Sequence, residues 1–254
     1  MALDYELLET CRTERDTAFL RFYRMDPPAV TIGRNQQWQH VVSPHRCSEM
    51  GWEWARRPTG GGALLHRNEI NYAIIAGPGS LGLAANAGFT ATLLTILSRL
   101  QRMLIRAGIP AAIESGRADT MPPNGRQHGL CGRSLTGYEI GLDGGKLLAA
   151  AQFMSQDVVL QHGTVYLHAP VDDGIFWPDD SHGLRARTQR WTSMPLEFQD
   201  CGWQESADRL RACFHDTSES GHFAVESWLP PDSLWDRVRR RADTWQREHW
   251  DTFR

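Results

Sequence analysis

YEIGLDGGKLLAAAQF, Tyr138 to Phe153, is the stretch on which the fold class turns. Two β-rich runs flank Asp143-Gly144-Gly145, and such a turn between apolar runs is a strong short-range signal for an antiparallel hairpin. A further strand follows in DVVLQHGTVYLH, Asp157 to His168, with no helix between. A doubly wound parallel sheet would alternate strands with helices. This order points instead to an α/β (α+β) chain with a mainly antiparallel sheet flanked by helices.

Toward the N-terminus, NYAII (Asn71 to Ile75), WEWARR (Trp52 to Arg57), AVTIG (Ala29 to Gly33) and FLRFY (Phe19 to Tyr23) read as strands, the last two separated by the turn Asp26-Pro27-Pro28. ALDYELLETC carries Leu3, Leu7, Leu8 and Cys11 at helical spacing. Ser43-Pro44 supplies an N-cap and a first-turn proline for a helix ending near Gly51. FTATLLTILSRLQRMLIRAG is the clearest helix, with an apolar stripe of Phe89, Leu93, Leu97, Leu100 and Leu104 stopped by Gly108 and Pro110. Ala111 to Glu114 reads as a short strand. Gly116 to Leu130 reads as a long loop, and loops of that length are often functional. Two further helices are expected near 203–213 and 232–249. The chain divides into a main body over residues 1–200 and a helical C-terminal appendage of the same domain over 201–254.

Of the 254 residues, 41 % are hydrophobic and 22 % charged, a soluble globular composition. A net charge of -3 argues against a nucleic-acid partner held mainly by charge. The cysteines, Cys11, Cys47, Cys131, Cys201 and Cys213, are odd in number and form no CxxC pair, which argues against a disulfide framework or a zinc knuckle. The N-terminus is too acidic for a signal or transit peptide, so a cytoplasmic protein is expected. No apolar run approaches about 18 residues, so no membrane span is expected. The absence of HxH, HExxH and carboxylate clusters predicts no metal site.

Four stretches can carry chemistry. In RRPTGGGALLH, Arg56 to His66, three glycines allow backbone N–H groups to converge on a phosphate or an acyl carbonyl. They equally suit a surface turn between strands. Lys146 opens an apolar strand and can point at a carbonyl or phosphate from a pocket, or it can lie exposed beside its turn. Cys131, in HGLCGR, has glycines on both sides and Arg133 nearby, an environment that favours a thiolate able to hold an acyl group. Its alternative is an inert free thiol. His66 and His162 each read as a general base or as a satisfied core histidine.

Together these stretches resemble the lipoate–protein ligase A and octanoyltransferase family, which shares its catalytic fold with biotin protein ligases. The matching segments are PPAVTIGRNQ, ARRPTGGGALLH followed by NYAII, DGGKLLAAAQ and LQHGTVYL, in order, over roughly Ala2 to His168. The resemblance implies that residues 1–200 are an acyltransferase or ligase catalytic domain. It implies transfer of an octanoyl or lipoyl group to a lysine of a lipoyl domain or glycine-cleavage H protein. It makes Lys146 catalytic, and it makes Arg57, Gly60, Gly61, Gly62, His66, Asn71, Ala149 and His162 substrate-binding.

The family has two branches. One takes octanoyl from acyl carrier protein through a cysteine thioester and requires no cofactor. The other uses ATP and Mg to make an acyl-adenylate. TIGRNQ and Gly62 resemble the ligases, whereas Glu69, Tyr138-Glu139, Gln152 and LQHGT resemble the cysteine octanoyltransferases. Cys131 stands fifteen positions before Lys146, where those transferases carry their nucleophile, and the Asn-Asp pair of the ligases is absent from CGRSL. The chain is therefore expected to use Cys131, with an ATP-dependent ligase as the alternative. Arg67 stands where the family commonly has aspartate, and Ala149 where it has glycine. These departures motivate a third reading, a non-catalytic acyl- or partner-binding relative. The arginines Arg185, Arg187 and Arg190, and those from Arg237 to Arg241, either steer an acidic acceptor or form solvated faces.

Overall fold

Asp143 and Gly144 take φ of 52° and 72°, the two left-handed central residues of a type I′ turn. Leu142 and Gly145 pair across them, joining β7 (Tyr138–Leu142) to β8 (Gly145–Ser155). The computed structural model describes residues 1–77, 79–115, 138–169, 192–215 and 228–251. In it the hairpin belongs to a six-stranded sheet. The spatial order is β1 (Ala18–Tyr23), β5 (Ile70–Ala76), β9 (Val158–Val165), β8, β7 and β6 (Ala112–Ser115). Every neighbouring pair is antiparallel.

A second sheet has the order β3 (Glu53–Arg56), β2 (Ala29–Ile32), β4 (Leu64–His66). Here β2 runs parallel to β3 and antiparallel to β4. The two N-terminal strands expected from the sequence therefore exist but enter different sheets. β4 follows the glycines directly, and its three residues are too few to show an alternation in sequence.

One face of the large sheet, with Ile70, Tyr72, Ile74, Leu148, Val159 and Val165, packs on α3 (Phe89–Arg106) and α4 (Leu196–His215). The opposite face is shared. At one end Ala73, Ile75, Val158 and Leu160 meet Leu7, Leu8 and Cys11 of α1 (Ala2–Thr13) and Leu234 of α5 (Asp232–Asp251). At the other end Leu64 of β4 meets Ala149 and Tyr166. α2 (Pro44–Glu49), capped by the Ser43 hydroxyl accepting from the Arg46 N–H, buries Cys47 in the small sheet's own core.

Three expectations change in the helices. Phe89 is 50 % exposed, so the buried stripe of α3 starts at Thr92 and continues through Ile96, Leu97, Leu100, Met103 and Leu104. Phe89 is the first residue after the Gly88 cap, ahead of the turn that reaches the sheet. The helix expected near 203–213 begins earlier, at Leu196, with a break at Gly202, whose φ of 80° no helix accommodates. Arg237 and Arg241 of α5 both engage Glu6 of α1, so these two tie the C-terminal helix to the N-terminal one. Among the described residues no helix is long and apolar enough to cross a membrane.

A bulge in the hairpin decides what faces the site. Gly141 pairs with Lys146, but Ile140 pairs with Leu148. The extra residue lets Leu147 and Leu148 both enter the main core. It also puts Lys146 and Ala149 on the opposite face together, which a regular strand forbids for residues three apart.

Candidate active site

The glycine loop is held from within by Arg57. Its guanidinium donates to the Thr31 carbonyl at 3.0 Å, to Thr31 Oγ1 at 3.2 Å, to the Gly60 carbonyl at 2.8 Å and to the Gly62 carbonyl. Arg56 likewise donates to the carbonyls of Gly33, Arg34 and Gln36, so both arginines are buried in service of loops. Gly61 has φ 89°, and a Cβ on Gly33 would stand 2.0 Å from the Gly61 carbonyl oxygen. Two glycine backbones thus cross at near contact. The trans peptide points each N–H opposite to its C=O, so with the Gly60 and Gly62 carbonyls on Arg57, the N–H groups of Gly61 and Ala63 point away from it.

Lysine lacks the planar fork that spans these carbonyls. Arg57→Lys is expected to leave two of them unpaired, at about 1–3 kcal/mol each, and to lower Tm by about 5–15 °C. Thermal unfolding followed by circular dichroism checks this, and an unchanged Tm contradicts it.

His66 sits in a buried chain of polar groups. Its Nε2 lies 2.7 Å from Thr31 Oγ1, and its Nδ1 lies 2.8 Å from Glu69 Oε1 and 2.9 Å from Asn71 Oδ1. Both acceptors face Nδ1, which assigns the proton there. Thr164 Oγ1 donates to Asn71 Oδ1 at 2.9 Å, and the Trp203 indole N–H donates to the Glu69 carbonyl. Burial alone would raise the Glu69 carboxyl, but the His66 hydrogen bond and charge and the Arg67 N–H outweigh it and hold it below the usual carboxylate range. Glu69 is thus the anionic anchor of the chain that fixes His66 and Asn71.

His162, on β9, bonds through Nε2 to Thr59 Oγ1 in the glycine loop. Its Nδ1 is buried with no hydrogen-bond partner among the described residues. Burial lowers its pKa from 6.5 to about 3, against the pull of Asp4, so the imidazole is neutral at physiological pH. The unfolded chain protonates here below about pH 6.5 while the native chain does not, so stability is lost as pH falls through that window. The contribution between pH 7 and pH 4 is about 3 kcal/mol. His162→Gln should flatten the pH dependence of urea unfolding by that amount, and an unaltered slope contradicts the assignment.

Lys146 is the only lysine in the chain. Its side chain is fully buried and forms an ion pair with Glu139, itself 4 % exposed. The exposed reading of this lysine fails, because β8 is buried from its first residue, Gly145, through Ala149. Apart from the ten histidines, the other basic residues are twenty-six arginines, so lysine persists at the one place where a compact point charge with three donors differs from a planar fork.

Lys146, Ala149, Asn71 and His162 therefore share one sheet face, roofed by the Thr59–Gly62 loop and β4. Ala149 packs on Leu64 and Tyr166, an apolar wall beside these polar groups. Three partners went unread in the sequence: Thr31 on His66, Thr59 on His162 and Glu139 on Lys146. The last was accessible, since the hairpin register makes Glu139 and Lys146 a diagonal pair. Cys131, with Arg133, Arg185, Arg187 and Arg190, lies outside the described residues.

The sequence profile of the lipoyl protein ligase A/B catalytic domain matches residues 1–173. The chain belongs to this family. Among curated proteins similar to the chain, the octanoyltransferase LipM of Moorella thermoacetica is 33 % identical over 179 residues, covering 68 % of this chain and 62 % of that protein. The octanoyltransferase LipM of Symbiobacterium thermophilum is 29 % identical over 236 residues, covering 89 % of this chain and 81 % of its own length. A putative lipoate protein ligase from T. acidophilum, solved with bound lipoic acid, superposes with a TM-score of 0.73 at 20 % identity, covering 98 % of this chain and 92 % of that one. The last comparison shows that the fold is that of the lipoate protein ligases.

Proposed function

We propose that this chain moves an octanoyl group from acyl carrier protein to one lysine of a lipoyl domain or glycine-cleavage H protein, through a thioester on Cys131. The observation that carries the reading is the buried Lys146, the chain's single lysine, on the face shared with His162, Asn71 and the glycine loop. The names of the curated relatives support octanoyl as the group. Lipoyl is the alternative acyl group. Residues 1–200 form the catalytic domain in this reading, with 201–254 its appendage. The odd number of cysteines, without a CxxC pair, favours the cytoplasm.

In the first step the Cys131 thiolate attacks the carbonyl carbon of the carrier thioester. The new S–C bond forms, the bond to the carrier sulfur breaks, and the carrier thiol leaves with the proton that Cys131 gave up. In the second step the neutral amine of the acceptor lysine attacks the Cys131 thioester. The amide forms, the C–S bond breaks, and the amine's proton returns to the sulfur. Each step passes through an oxyanion. The Lys146 ammonium, fixed before the charge develops, stabilises it, as do backbone N–H groups of the glycine loop. The acyl chain lies against Leu64, Ala149 and Tyr166. The Ala149 methyl narrows that wall, which suits a straight saturated chain.

The test mixes the purified chain with octanoyl-carrier protein and an unmodified lipoyl domain, with and without ATP, and reads the mass of the domain. Octanoylation without ATP is expected. TIGRNQ and Gly62 favour a second reading, an ATP- and Mg-dependent lipoate ligase. Modification only from free lipoate or octanoate with ATP would establish that reading and overturn the first.

A further inference from the structure

We propose that Glu139 is the positioning residue of Lys146, holding its ammonium charged and aimed at the reacting carbonyl. The inference rests on the transferase reading above and assigns a role to a residue that the reading leaves unused.

Three observations carry it. First, the pair is a poor structural device. Both side chains are removed from water, 0 % and 4 % exposed, and burying two charges costs more than packing apolar groups of the same volume. On the same face Ala149 already packs with Leu64 and Tyr166, so an apolar neighbourhood is at hand. Secondly, the pair is incompletely satisfied. Glu139 Oε2 is buried with no hydrogen-bond partner among the described residues. A buried carboxylate with one oxygen on a lysine and one oxygen unmatched is retained for something other than stability. Thirdly, space is reserved for a second carboxylate. A Cβ on Gly141 would stand 2.2 Å from a Glu114 carboxylate oxygen, so the glycine lets the Glu114 side chain cross β7 toward the pair.

The charges explain the arrangement. A lysine taken out of water without an anion tends to lose its proton, and a neutral amine cannot stabilise an oxyanion. Burial pushes the Glu139 carboxyl up, Lys146 pulls it back down, and Glu114 pushes it up again. Glu139 of β7 and Glu114 of β6 therefore stand in succession on one side of the lysine of β8. Further along the same side lie His162 of β9, His66 of β4, Arg57 beside the glycine loop and Asp4 of α1. A diagonal cross-strand pair also fixes direction. With Nζ held on Glu139, the lysine stem is confined to one side of the hairpin.

The test uses Glu139→Gln and Glu139→Asp in the full-length chain. In Glu139→Gln, kcat for octanoyl transfer should fall about 10- to 100-fold, with KM for the carrier thioester changed less than about twofold. The alkaline limb of the kcat–pH profile should move to lower pH. Glu139→Asp should restore part of kcat and return the limb toward its original place. Because the chain has one lysine, labelling with ε-13C-lysine gives one signal whose titration needs no turnover. That signal should lose its proton at lower pH in Glu139→Gln than in the wild type. An unmoved signal and an unmoved alkaline limb would overturn the proposal, whatever happens to Tm. A wild-type chain that transfers no acyl group, but whose lysine signal still moves on Glu139→Gln, would refute the transferase reading and leave the pairing intact.

Discussion

Lys146→Met should lower kcat for octanoyl transfer by about 100- to 1,000-fold, the usual cost of removing one preorganised oxyanion donor. It should also destabilise the fold. Lys146 is wholly buried on Glu139, and removing one partner of a buried pair strands the other charge, at about 3–5 kcal/mol. Loss of activity alone would therefore be ambiguous. The double variant Lys146→Met, Glu139→Gln separates the two effects. It removes the stranded carboxylate and should recover most of the lost stability, read by denaturant unfolding, while recovering none of the activity. Full activity in Lys146→Met would exclude a catalytic role. Failure of the double variant to regain stability would show that the pair is not the local energetic unit described here.

Cys131→Ser is the second large effect. An alcohol without an activating base is a poor nucleophile toward a thioester, and loss of a nucleophile that works with its neighbours typically costs at least about 10,000-fold. Carrier-dependent transfer should fall by that order, and the chain should accumulate no acyl-enzyme. Thermal stability is expected to change little, which circular dichroism checks. If Cys131→Ser retains full transfer supported by ATP, the nucleophile is not this cysteine and the ligase reading replaces the present one.

Much of the fold was legible because it is encoded locally. The Asp143-Gly144 turn specifies its hairpin through two left-handed residues, Ser43-Pro44 specifies the start of α2, and the spacing of Leu97, Leu100 and Leu104 specifies the buried face of α3. What was not legible depends on partners distant in sequence. β4 is defined by pairing with β2 across some thirty residues rather than by its own three. Where the buried face of α3 begins depends on where the helix meets the sheet, and the break inside α4 falls at Gly202.

The site divides in the same way. Arg57, the glycines, His66, Asn71, Lys146, Ala149 and His162 were singled out by residue type and motif, but not their relations. A strand alternates faces, so Lys146 and Ala149 should have pointed apart. One bulge opposite Ile140 and Gly141 turns them to the same side. The glycine loop was expected to turn amides toward a ligand. Its Gly60 and Gly62 carbonyls converge on Arg57, which makes that arginine the loop's internal brace and turns the Gly61 and Ala63 N–H groups the other way. His66 has both ring nitrogens engaged, whereas His162 keeps Nδ1 without a partner among the described residues. No single-residue signal distinguishes those two histidines.

The most direct test is the intact mass of the chain after mixing with octanoyl-carrier protein in the absence of acceptor and ATP. One added octanoyl group, mapped to the peptide containing Cys131 and removed by hydroxylamine, is the predicted result. An unmodified chain that still acylates a lipoyl domain, and does so only with ATP, would contradict the account.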